Sequence, residues 1–169
     1  MVADQDFKPR RNSSIMTGHF VTILRKLASS PYGVMFACLF AGGLGALAMP
    51  PYGWWPLLVI GMSLFYILLS RDVSGVLAAG MGWMFGFGYF LIGLYWIGNA
   101  LLVEGNPYQW AYPLALCGLP ALLALFPALA AYLVCKSNLK TLTGFVFFVG
   151  VFGAFEWLRG TLLTGFPWN

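Results

Sequence analysis

The sequence predicts an all-α integral membrane protein, a bundle of about five transmembrane helices. Two observations lead to this fold class. The chain is 60% apolar and only 8% charged, whereas a soluble domain carries about 25% charged residues. Its apolar runs are also close to the roughly 20 residues that a helix needs to cross a bilayer. Lipid must therefore be the solvent over most of the surface.

Residues 1–30 form a polar, basic and Ser-rich tail, which we expect to be cytoplasmic. Five of the nine basic residues lie in the first 26 positions: Lys8, Arg10, Arg11, Arg25 and Lys26. Because a long apolar run follows, positive-inside topology explains this charge better than nucleic-acid binding does. An alternative interpretation is a signal peptide, since Ala46-Leu47-Ala48 resembles a cleavage site.

Residues 31–169 form the predicted transmembrane domain, with the first spans near 32–49 and 54–70. The segment between them contains Pro50, Pro51 and Pro56, which interrupt a regular helix. Its Tyr52, Trp54 and Trp55 are typical of the headgroup level. We therefore predict a tight external turn joining a helical hairpin.

Three further spans are predicted near 74–100, 110–135 and 141–158. The fourth carries Pro113, Pro120 and Pro127 at intervals of seven, close to two helical turns, so these prolines share one face. A kink, or a break near Pro120, is expected, with neighbouring helices satisfying the carbonyls that are freed. With the N-terminus inside, eight of the nine Lys and Arg residues are cytoplasmic, and the chain ends on the outer side.

Small residues are spaced for close helix contacts at Gly82 and Gly86, and again at Ala41 and Gly45. Such faces let helix backbones approach one another. Packing within the bundle is one interpretation and self-association is the other, so the oligomeric state is not predicted.

The candidate functional residues lie toward the external ends of the third and fifth spans. Glu156 and Arg159 are spaced i,i+3, so their side chains can meet. Ionisable residues at membrane depth are functional candidates by default, although a mutually neutralised structural pair fits equally well. Tyr95, Trp96 and Asn99 are candidates for lipid contact, with simple packing or interfacial anchoring as the alternative.

Sites for catalysis, metals or cofactors are not indicated. Cys38, Cys117 and Cys135 lie in or beside apolar runs without the spacing of a metal site, which favours a packing role. The few acidic residues form no obvious catalytic pair. We therefore expect no cofactor, no metal and no complete catalytic constellation.

The segment from Glu156 to Trp168 resembles the E-x-L-R-G-x-x-x-T-G-F-P-W stretch of bacterial apolipoprotein N-acyltransferases. The resemblance includes Gly165, Phe166, Pro167 and Trp168. Weaker similarities cover the turn at 47–56 and the aromatic third span at 83–96. Together they extend over about residues 33–169.

This resemblance implies a multi-pass protein of the bacterial inner membrane, with the segment after the fifth span in the periplasm. Its family moves an acyl chain from a phospholipid to the diacylglyceryl-cysteine of an apolipoprotein, through a thioester on a cysteine. The catalytic Glu, Lys and Cys of the family belong to a nitrilase-like domain, and no residue here matches them.

We therefore expect an N-terminal membrane part that has no transferase activity alone, and enzyme status stays uncertain for this chain. Membrane phospholipid and an apolipoprotein are the partners that the resemblance implies. Glu156 and Arg159 would fix the outer end of the fifth helix beside a lipid entrance, and Gly165 to Trp168 would shape the loop that follows. The alternative is a small membrane scaffold or transporter-like protein without enzymatic activity.

Overall fold

The computed structural model describes residues 30–162, and this part of the chain consists of helices and turns without a β-strand. The helices that come before the proline-rich region are α1 (Pro31–Ala46), α2 (Trp55–Leu69), α3 (Gly75–Gly93) and α4 (Tyr95–Leu101). A 3-10 turn (Gln109–Ala111) and a π-helical segment (Leu114–Gly118) follow. The last helices are α5 (Leu119–Leu123), α6 (Leu125–Val134) and α7 (Leu142–Leu162). The predicted all-helical class is confirmed, while the predicted N-terminal tail lies almost wholly outside the described residues.

Short polar residues begin several of these helices. Ser30 precedes Pro31 at the start of α1, and its hydroxyl accepts a hydrogen bond from the Gly33 amide at 3.0 Å. Thr141 caps α7 in the same way, accepting from the Gly144 amide at 3.1 Å. These hydroxyls satisfy amide groups that a helix leaves without a carbonyl partner in its first turn.

The turn between α1 and α2 contains Pro50 and Pro51 and interrupts the helical path there, whereas Pro56 lies in the first turn of α2. Gly53 has a φ of 66°, a left-handed conformation that glycine adopts without a Cβ clash. The Trp54 amide then donates to the Leu47 carbonyl at 3.0 Å, which closes the turn back onto the end of α1.

Three helical stretches are long and apolar enough to cross a membrane: Gly75–Gly93, Gln109–Val134 and Leu142–Leu162. The first two helices are apolar but shorter, at 16 and 15 residues. At 1.5 Å per residue they extend about 24 and 23 Å, against a hydrocarbon core of about 30 Å. The structure thus supports a helical membrane protein without establishing five crossings.

The predicted third span divides into two helices instead of continuing to Ala100. Helix α3 ends at Gly93, Leu94 has φ −110° and ψ 7°, and α4 begins at Tyr95. Gly98 of α4 lies so close to the Tyr112 ring that a Cβ there would approach its Cε2 to 2.7 Å. The short helix therefore packs against the segment that enters the proline-rich region.

The proline-rich span is irregular, as its spacing predicts. A π-helical segment follows Pro113, and a further break at Ala124 separates α5 from α6. The Trp83 indole N–H of α3 donates to the Ala121 carbonyl at 3.1 Å. A neighbouring helix therefore supplies a donor to a carbonyl of this distorted stretch.

Helix α3 lies at the centre of the bundle, between α1 and α6. A Cβ on Gly42 would collide with the Phe85 carbonyl, and one on Gly88 with the Leu39 carbonyl. On the other side, a Cβ on Gly82 would collide with the Pro127 carbonyl. The small-residue faces are therefore used for packing inside the chain, as the first of the two interpretations predicts.

Aromatic rings join α7 to the rest of the bundle. The Phe65 ring of α2 lies 4.5 Å from Phe85 and 5.6 Å from Phe152, measured between ring centroids. Tyr66 packs edge-on against Phe148 at 5.0 Å and donates its hydroxyl hydrogen to the Leu139 carbonyl. This layer holds the first half of α7 against α2 and leaves its second half less closely packed.

Candidate functional site

One face of α7 carries a stripe that changes from aromatic to charged along the helix. Phe148, Phe152, Glu156 and Arg159 follow one another at intervals of four, four and three residues. With 3.6 residues per turn these side chains lie on one side of the helix. The stripe therefore buries Phe148, Phe152 and Arg159, while Glu156 stays partly exposed.

A groove of 400 Å³ lies beside this stripe. Its walls come from four helices, and nearly all of the lining side chains are apolar. The lining residues are Leu58, Met62, Phe85, Gly86, Tyr89, Phe90, Pro127, Phe148, Val149, Phe152, Gly153 and Glu156. Glu156 is the only charged residue among them, so an apolar channel is bordered by a single carboxylate.

Two glycines show why the groove is open on one side and closed on the other. A Cβ on Gly86 would collide with the Pro127 ring, so α3 and α6 are already in tight contact. A Cβ on Gly153 would meet no atom within 4 Å. The open space consequently lies along α7, where this helix stands away from its neighbours.

Glu156 and Arg159 form an ion pair in the last turns of α7. The Arg159 Nη2 lies 2.7 Å from the Glu156 Oε2, and the arginine side chain is 7% exposed while the glutamate side chain is 50% exposed. The carboxylate thus faces the groove and its opening, and the guanidinium lies behind it. The predicted meeting of these side chains is confirmed.

The guanidinium of Arg159 also lies against an aromatic ring. Its Cζ is 5.0 Å from the centroid of the Phe90 ring, a distance suited to a cation–π interaction. Within residues 30–162, the buried Nε and Nη1 atoms of Arg159 have no hydrogen-bond partner. Because an unsatisfied buried donor is costly, these N–H groups favour any oxygen acceptor that comes within reach.

The other predicted site residues are not part of the groove. Tyr95, Trp96 and Asn99 lie on α4 with exposed side chains, and none of them lines the cavity. Their contact with lipid stays a prediction. Gly165, Phe166, Pro167 and Trp168 lie outside the described residues.

Sequence reasoning found the ion pair and missed the groove. The stripe of α7 was a usable signal, because Phe148, Phe152 and Glu156 are spaced i,i+4. The opposite wall, which includes Leu58 and Met62, gave no such signal. These residues belong to an almost uniformly apolar helix, in which no spacing of residue types marks one face.

Metal or cofactor ligands do not converge in the described part of the chain. No group of three or more His, Cys, Asp or Glu side chains occurs among residues 30–162. The three cysteines are free thiols in different surroundings: Cys38 is buried, Cys135 is partly buried and Cys117 is exposed. The groove therefore offers apolar contact, one carboxylate and a nearby guanidinium as its chemistry.

Comparison with known proteins gives a consistent result. Residues 41–169 match the family model of the apolipoprotein N-acyltransferase N-terminal domain. The apolipoprotein N-acyltransferase of Agrobacterium fabrum is 46% identical over 141 residues, which cover 76% of this chain and 26% of that protein. The enzyme of the same name from Rhodopseudomonas palustris is 48% identical over 140 residues, covering 78% of this chain and 25% of that protein.

A third relative, the apolipoprotein N-acyltransferase of Rhizobium meliloti, is 43% identical over 144 residues, covering 79% of this chain and 27% of that protein. The chain therefore spans about a quarter of the length of the curated relatives that it matches.

Proposed function

Because the chain belongs to the apolipoprotein N-acyltransferase family through its N-terminal domain, we propose that it is the membrane part of such an enzyme. The complete enzyme transfers an acyl chain from a phospholipid to the N-terminal diacylglyceryl-cysteine of an apolipoprotein. Family membership favours this function over the scaffold or transporter-like alternative.

We further propose five crossings of the bacterial inner membrane, with a cytoplasmic N-terminus and a periplasmic segment after α7. The tight turn between α1 and α2 supports a hairpin of two spans, and local thinning of the bilayer would match their short length. The basic residues Arg71, Lys136 and Lys140 gather at one end of the bundle, and this end is cytoplasmic under the positive-inside rule. Cysteine labelling at Ser137 and at Glu104 tests the orientation, because only the latter should react from the periplasm.

The groove beside α7 is proposed as a lipid entrance, and one observation carries this role. An apolar channel of 400 Å³ is bordered by the Glu156–Arg159 pair near the end of its helix. Acyl chains are compatible with the apolar walls. Oxygen atoms of a lipid head are compatible with the Nε and Nη1 groups of Arg159, which have no hydrogen-bond partner within residues 30–162. Tyr95, Trp96 and Asn99 contribute outer lipid contacts in this proposal, and Gly165 to Trp168 shape the loop after α7.

Replacing Arg159 by Met in a full-length relative tests this role. A hydrogen bond to a charged group is worth about 1.5–3 kcal/mol, so acylation of a lipopeptide acceptor should fall about tenfold or more. Trp157→Phe is the control, because Trp157 lies on the same helix with a 70% exposed side chain. Unchanged yield and unchanged acylation in R159M would contradict a role for the pair.

We also propose that the 169-residue chain does not transfer acyl chains by itself, as the matched region is about a quarter of the complete relatives. The purified chain, given a phospholipid donor and a lipopeptide acceptor, should form no N-acylated product above the protein-free background. Product formation that depends on the chain would overturn this statement.

A further inference from the structure

A polar cavity lies at the end of the bundle that is remote from the groove. Its volume is 730 Å³, and it is formed by the loop between α2 and α3 and the loop between α6 and α7. We name it the basic basin, after its charged residues Arg71, Asp72, Lys136 and Lys140. Three cations against one carboxylate give it a net positive charge.

The basin is a built feature, because hydrogen bonds hold both of its loops. The Ser137 hydroxyl donates to the Val134 carbonyl at 2.7 Å, and the Thr141 hydroxyl donates to the Asn138 carbonyl at 2.8 Å. The Ser70 hydroxyl donates to the Tyr66 carbonyl at 2.7 Å. The cations are therefore presented from a defined backbone.

The lysines are held only weakly by partners inside the protein. Lys140 Nζ lies 3.4 Å from Asp72 Oδ2, with side-chain exposures of 63% and 97%. Such an exposed pair contributes little to stability, because water screens both charges. Lys136 Nζ lies 4.6 Å above the Tyr132 ring, which leaves its donors available for an anion.

The position of the basin identifies the kind of anion. Its loops end directly before α3 and α7, which are long enough to cross a membrane. In the membrane arrangement proposed above, the cations therefore lie at the level of lipid headgroups. The first turns of these helices expose Val76 by 83% and Leu142 by 78%. A phosphate held in the basin would therefore have apolar surface beside it for its acyl chains.

We propose that the basic basin binds the phosphate of an anionic phospholipid such as phosphatidylglycerol. Lys136 and Lys140 donate to the phosphate oxygens, Arg71 adds to the positive potential, and the lipid displaces Asp72 as the partner of Lys140. The occupant is a headgroup-bearing lipid of the surrounding leaflet. This site is separate from the proposed lipid entrance and does not depend on it.

The test titrates the purified 169-residue chain in neutral detergent with short-chain phosphatidylglycerol, following bound lipid by native mass spectrometry. A basic residue near an anionic lipid surface is worth about 1 kcal/mol, or about fivefold in affinity. K136Q/K140Q should therefore weaken phosphatidylglycerol binding by more than about tenfold. Phosphatidylcholine should bind weakly to the wild type and the variant alike.

The matched control is K8Q/R10Q, which removes two positive charges from the N-terminal tail and should weaken binding much less than K136Q/K140Q does. D72N should tighten binding about fivefold, a gain that a misfolded protein does not produce. Inorganic phosphate should not displace the lipid.

Four results would each overturn the proposal. These are unchanged binding in K136Q/K140Q, an equal loss in K8Q/R10Q, no gain in D72N, and displacement of the lipid by inorganic phosphate at similar concentrations. An equal loss in K8Q/R10Q would indicate an unspecific cationic surface, and displacement by inorganic phosphate would indicate a free-phosphate site.

Discussion

Two ion pairs lie near opposite ends of α7, and they differ in how much water reaches them. Glu156 and Arg159 approach to 2.7 Å, and the guanidinium is nearly buried against Phe90. Asp72 and Lys140 approach to 3.4 Å, and both remain largely exposed. Removing the partner of a buried charge leaves that charge uncompensated, which costs free energy of folding. An exposed charge is solvated by water and can exchange partners. The first pair therefore suits a fixed geometry beside the groove, and the second suits reversible exchange of its partner.

The largest expected effect is the loss of the carboxylate that neutralises Arg159. Glu156→Gln leaves a nearly buried guanidinium without a counter-ion. Full burial would cost about 3–5 kcal/mol, and the half-exposed glutamate reduces this to about 2–3 kcal/mol. The measurement is the free energy of unfolding in detergent micelles. Glu104→Gln, the same change at an exposed loop position, should alter stability by less than about 0.5 kcal/mol, and equal losses in both variants would contradict the contrast.

The next prediction compares two glycines on opposite walls of the groove. Gly86→Ala forces a Cβ into the Pro127 ring, and such overpacking should destabilise the protein by about 1–3 kcal/mol. Gly153→Ala meets open space and should stabilise α7 by up to about 1 kcal/mol, because alanine favours a helix more than glycine does. Thermal unfolding of both variants checks the sign of each change. A destabilising Gly153→Ala would mean that the groove is closed.

A smaller effect is expected from the contact between Arg159 and Phe90. A double-mutant cycle of Phe90→Leu with Arg159→Met should give a coupling energy of about 0.5–2 kcal/mol. The matched cycle of Phe90→Leu with Asp72→Asn should give none within about 0.5 kcal/mol. Coupling in the second cycle would show that the two ends of the bundle are not independent.

The smallest effect on stability is expected at the exposed pair. Asp72→Asn and Lys140→Gln should each change the free energy of unfolding by less than about 1 kcal/mol. Added salt should reduce this difference further, because exposed charges are screened. A loss comparable to that of Glu156→Gln would indicate that the basic basin is a structural element.

Local patterns in the sequence were sufficient for some features of the fold. The prolines of 50–56 predicted the turn before α2, and the spacing of Pro113, Pro120 and Pro127 predicted an irregular span. The break at Leu94 was not predicted, because the apolar run over 74–100 contains no proline to mark it. The number of crossings also depends on tilt and bilayer fit, which helix length alone does not fix.

The sequence by itself determined that the protein is helical and suited to a membrane, that its Glu156 and Arg159 can meet, and which family it resembles. These features depend on composition and on spacing within a few helical turns. Only the tertiary structure decided that the second half of α7 leaves a groove beside it, and that Asp72 and Lys140, 68 residues apart, share a basin. The physical reason is that a cavity depends on the distances between helices that are far apart in the sequence. Close backbone contacts at glycines set several of these distances here.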